Sequence, residues 1–96
     1  MPARSWTPAE VDATVRSYFA MLKLEQEEVK FNKAKFRKEL LALLDERSEG
    51  SIEFKHQNIS AVLNDMALPY IKGYKPLANY QNSLKTAVMA VIHHPD

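Results

Sequence analysis

The chain is expected to fold as a single all-α domain, a small bundle of four to five helices, and three observations predict this. Apolar residues recur at helical rather than alternating spacing through most of the 96 residues. Proline, glycine and Ser, Thr or Asn caps cut the chain into segments of helix length. No two alternating segments flank a tight turn, so no hairpin is expected.

The first helix is marked by its start. Thr7 is placed as N-cap, Pro8 as the first helical residue and Glu10 as the reciprocal partner of a capping box, with Trp6 free to fold back on Val11. Val11, Val15, Tyr18 and Leu22 then form one stripe beside Phe19, and the helix should run from about Pro8 to about Leu24. A charged connector follows, holding Val29 and Phe31. Asn32 is the expected cap of a second helix, which carries Phe36, Leu40, Leu43 and Leu44 inward and ends near Glu46.

Ser48-Glu49-Gly50-Ser51 supplies a break, with Gly50 suited to a left-handed position and Ser51 to capping the next helix. Ile52, His56, Ile59, Leu63 and Met66 keep helical spacing, with Phe54 slightly off the stripe, and Pro69 closes the segment. The loop from Pro69 to Pro76 leads to a last helix, beginning at about Leu77 or Asn79 and ending near Ile92, along Tyr80, Leu84, Val88 and Val91. The second and third helices have the proportions of a helix-turn-helix pair. One domain covering residues 1–96, with its core at about 6–92, is expected.

Composition narrows the function. With no cysteine, disulfide staples and thiolate metal sites are excluded, and a cytoplasmic protein is the expectation. No segment approaches the roughly 20 apolar residues of a membrane span. The formal net charge is only +1, but its distribution is uneven. Lys30, Lys33, Lys35, Arg37 and Lys38 follow one another without an acid between them, and from Ser51 to Pro95 the lysines Lys55, Lys72, Lys75 and Lys85 face only Glu53 and Asp65.

The polar run Lys55-His56-Gln57-Asn58 combines the donors and acceptors that meet base edges and phosphates, although a solvated helix face with His56 partly buried has the same spacing. The loop offers Tyr70 and Tyr74 interleaved with Lys72 and Lys75, which suits stacking on an unpaired or extruded base. Two tyrosines plugging the end of the bundle would serve as well.

Catalytic chemistry finds little footing. Glu53-Phe54-Lys55, with Asp45 upstream, has the spacing of a nuclease half-motif, but on a helix those side chains do not face one metal. His93 and His94 lack partners at ligand spacing. No metal, cofactor or catalytic residue is expected in this segment.

The words RSEGSIEFKHQNISAVL, GYKP and NYQ, in that order, resemble a small domain at the N-terminus of bacterial multidomain proteins, among them HNH-type restriction endonucleases that act on modified DNA, and other defence proteins. The resemblance covers Trp6 to about Val91. It implies a DNA-recognition module, with duplex DNA or a modified base in it as partner and cutting left to a downstream catalytic domain of the same chain. Carried onto this sequence, its polar positions are Arg47, Lys55, His56, Asn58, Tyr74, Lys75 and Gln81. A helical protein-interaction or dimerisation module is the alternative.

Overall fold

A computed structural model describes residues 5–44 and 47–94. Among these residues the chain is all-helical, with α1 (Pro8–Gln26), α2 (Lys33–Leu41), α3 (Glu49–Asp65) and α4 (Asn82–His93) and no strand. The helices α1 and α3 form the central pair. Helix α2 packs on both and α4 packs on both, while α2 and α4 do not meet.

Helix α1 starts as its sequence demands: the Thr7 hydroxyl accepts from Glu10 N–H at 3.1 Å and the Glu10 carboxylate accepts from Thr7 N–H at 3.0 Å. Its inner stripe, Val11, Val15, Tyr18 and Leu22 together with Met21, joins Ile59, Val62 and Leu63 of α3, Ile71 and Tyr74 of the loop, and Leu84, Val88 and Val91 of α4. A smaller cluster of Leu40, Leu44 and Ile52 lies between α2 and α3. Trp6 leans on both clusters, so the residue before the first cap ties them together.

Helix α2 is shorter than its leucines suggest. Asn32 caps it by accepting from Ala34 and Lys35 N–H, but after Leu41 the backbone tightens, with Leu43 N–H bonded to Leu40 O and Leu44 N–H to Leu41 O. The tighter turn rotates Leu43 out to 75% exposure and leaves Leu44 inside. The expected continuation to Glu46 falls outside the described residues.

Helix α3 begins earlier than expected. Ser48, not Ser51, is the N-cap, its hydroxyl accepting from Ser51 N–H at 3.1 Å, and this draws Glu49 and Gly50 into the first turn. Gly50 is therefore helical and does not take the left-handed position assigned to it. Helix α4 begins later than expected, because Leu77 is already engaged: its N–H donates to Gln57 O at 3.1 Å and its carbonyl accepts from Asn58 Nδ2 at 2.6 Å. Asn79 then adopts a left-handed φ of 69°, and residues 77–81 run as a strap over α3 to the Tyr80 hydroxyl, which donates to Asp65 at 2.6 Å.

Two helices end in the same double-bonded turn with a non-glycine residue at the left-handed position. At α1, Glu28 has φ 59° while Val29 N–H reaches Leu24 O; at α3, Ala67 has φ 57° while Leu68 N–H reaches Leu63 O. A Cβ in this region costs about 1 kcal/mol or more that glycine avoids. Ala67→Gly is therefore expected to raise stability by about 1 kcal/mol, read as a rise of about 4–8 °C in melting temperature for a domain of this size.

Candidate nucleic-acid interface

The polar run of α3 and the tyrosine-lysine loop do meet, but mostly inside the protein. His56 is fully buried, its ring lying 4.9 Å from that of Tyr74 and 5.8 Å from that of Tyr18. Neither ring nitrogen finds a hydrogen-bond partner of good geometry among the described residues. Burial holds this imidazole at about 4, below the ordinary 6.5. The Thr14 backbone eases the cation slightly, while the charges of Arg37 and Lys33 oppose it. Tyr74 is equally buried and its hydroxyl has no bond of good geometry among the described residues; burial raises its pKa, with nearby Arg37 pulling the other way. The Tyr18 hydroxyl pairs with Ser60 Oγ at 2.7 Å and accepts from Ile71 N–H at 2.9 Å, which fixes the root of the loop to α1.

These placements correct the expectation that His56, Asn58 and Tyr74 face a ligand. Asn58 is 3% exposed and spends its amide on Leu77. Tyr70 is half-buried against the main cluster. Of the two explanations for the tyrosines, plugging the bundle fits Tyr74.

What remains outside is a cationic rim. Lys33, in the first turn of α2, donates from Nζ to Gly73 O at 2.9 Å and lies 4.2 Å from the centre of the Tyr74 ring. A Cβ on Gly73 would lie 3.3 Å from that Nζ, so the glycine makes room for a lysine of the same chain. Lys72 and Lys75 flank this contact in the loop; both are exposed and neither forms an ion pair with the described residues, whereas the exposed Lys35, two residues past Lys33 on α2, lies about 200° round that helix from the contact. Nearby acids are partly committed. Glu25 accepts from Lys72 N–H at 3.1 Å, and Glu53 and Glu49 face Arg37 at 3.4 and 3.6 Å.

Three of the expected site residues lie elsewhere. Arg47 reaches Glu10 at 2.8 Å with both side chains less than a tenth exposed, donates to Ser5 O at 2.9 Å, and stacks 4.3 Å from the Trp6 ring centre. Lys55 reaches the same ring at 4.9 Å, and burial followed by the Arg47 charge lowers its pKa. Gln81 is exposed at the start of α4, without a side-chain capping bond. Glu53 and Lys55 thus diverge, toward Arg37 and Trp6, and Asp45 lies outside the described residues.

One residue was missed as a surface group. Phe54 is 53% exposed on α3, and its position off the apolar stripe was the signal. Among known proteins, no family model, no curated protein and no solved structure matches the chain.

Proposed function

We propose that the domain binds DNA through phosphate contacts made by Lys72 and Lys75 at the rim that Lys33 ties to the loop, as the specificity module of a larger restriction or defence nuclease. The supporting observation is the Lys33 to Gly73 tie, which brings two lysine-bearing segments 40 residues apart in sequence to one edge. The nuclease setting comes from the resemblance of the α3 and loop motifs. In this reading α2 and α3 keep the order of a helix-turn-helix pair, but the rim rather than α3 meets the backbone of the duplex. Recognition of a modified base would then rest on groups outside the buried His56, Asn58 and Tyr74.

Two phosphate contacts correspond to a slope of about −1.8 in log K against log salt, or an affinity loss of about 12-fold between 50 and 200 mM. Lys72→Glu with Lys75→Glu should abolish most of that slope while leaving the melting temperature unchanged. A wild-type protein whose binding to plain and modified duplexes is absent at about 50 mM salt, or indifferent to salt, would overturn the proposal.

A protein-interaction module is the second reading, favoured by a groove of about 470 Å³ between α1 and α2, lined by Ala13, Phe36, Leu40 and the exposed Leu43. It predicts a complex or dimer by light scattering that Leu43→Glu dissolves and Lys72→Glu does not.

A further inference from the structure

We infer that Phe54 is a stacking platform for an unpaired or extruded base, placed beside the phosphate-binding rim; this rests on the phosphate-contact reading and adds its substrate class.

The position of Phe54 follows from the way the loop crosses α3. Tyr74 packs on His56, while Leu77 is bonded to Gln57 O and to the Asn58 side chain. His56 and Asn58 lie about 200° apart around a helix of 3.6 residues per turn, and the other side of α3 is filled by the buried Ile52, Ile59 and Val62, so Lys75 and Pro76 pass over the side where Gln57 sits. Phe54 lies one turn earlier, at an angle between Gln57 and Asn58. The strap continues toward the C-terminal end of α3, since Tyr80 reaches Asp65. It therefore covers the turns beyond Phe54 and leaves this ring open.

The chemistry fits one kind of ligand. An aromatic ring left half-exposed next to the segment that carries Lys75 offers an apolar face and charge for an adjacent phosphate, the combination that holds single strands without reading their sequence. Glu53, the acid adjoining Phe54, is opposed by Arg37, and Glu25, the acid at the Lys72 end of the rim, is held by the Lys72 N–H. In a closed duplex the faces of the bases are stacked on one another and unavailable to the ring. Phe54 should thus discriminate between strand states, whereas the lysines should not.

The test uses fluorescence anisotropy at about 50 mM salt, with labelled oligothymidylate and a duplex of equal length as probes. Phe54→Ala is expected to weaken oligothymidylate binding about tenfold and to leave duplex binding within a factor of about two, with Phe54→Trp retaining the wild-type affinity. Because the ring is largely outside the core, these variants should melt like the parent. If Phe54→Ala leaves oligothymidylate binding unchanged while Lys75→Glu weakens it, or weakens both probes equally, the stacking role is overturned and the phosphate-contact reading stands. If neither probe binds at all, that underlying reading fails first and the stacking role with it.

Discussion

Replacing Arg47 by alanine is expected to destabilise the protein by about 3–5 kcal/mol, a large part of the whole stability of a domain this size. The guanidinium and the Glu10 carboxylate meet at 2.8 Å with side-chain exposures of 8% and 9%, so removing the cation leaves its counter-charge in a site poor in water. The same substitution removes the cation stacked on Trp6, which joins the two apolar clusters. Arg47→Lys should recover only part of the loss, because a single ammonium cannot reproduce the guanidinium contacts to Glu10 and Ser5 O together. Glu10→Gln and the double variant complete a cycle whose coupling energy, from urea titrations, isolates the pair. Were Arg47 instead a phosphate contact, its loss would flatten the salt dependence of DNA binding and leave the urea midpoint alone.

Acid should loosen the protein through His56. Burial sets its folded pKa at about 4 against 6.5 for the exposed group, so between these values the unfolded chain binds the extra proton. Stability is then complete above about pH 6.5, falls as the pH drops toward 4, and gains no further loss from this group below that. The full effect of a shift of this size is about 3 kcal/mol. Urea midpoints at pH 7, 5.5 and 4 should show it, and His56→Leu should flatten the pH profile by the same amount even if it alters stability at neutral pH. An unchanged profile in that variant would mean that other groups carry the acid response.

The parts of the fold that local rules govern were legible in the sequence. The capping box of Thr7 and Glu10, the Asn32 cap and the stripe from Val11 to Leu22 depend on neighbours within a few residues, and each formed as its residues require. Errors arose where two local options competed. Ser48 and Ser51 could each cap α3, and the earlier serine won, pulling Gly50 into the helix. Leu77 could have started α4, but its backbone bonds to Gln57 and Asn58 hold it extended.

The candidate site was harder to see because its decisive contacts span long stretches of chain. Nothing near Arg47 in sequence points to Glu10, and nothing near Lys33 points to Gly73. The Lys55 to Asn58 run has the composition of a recognition face, yet His56 and Asn58 serve the interior, the one among tyrosines and the other as a clasp for the strap. Composition could not separate these roles, since a polar side chain that ties down backbone looks the same as one that awaits a ligand. Phe54 is the converse case, an apolar residue outside the stripe and outside the core.

The hydroxyl of Tyr18 has a consequence for how the molecule is made. Its partners lie 42 and 53 residues further on, at Ser60 and Ile71, so on the ribosome the first helix must wait until most of the polypeptide has emerged before its polar tip is matched. Closure should therefore come late in synthesis and in one cooperative step, more slowly than in bundles whose helices pair only with their immediate successors.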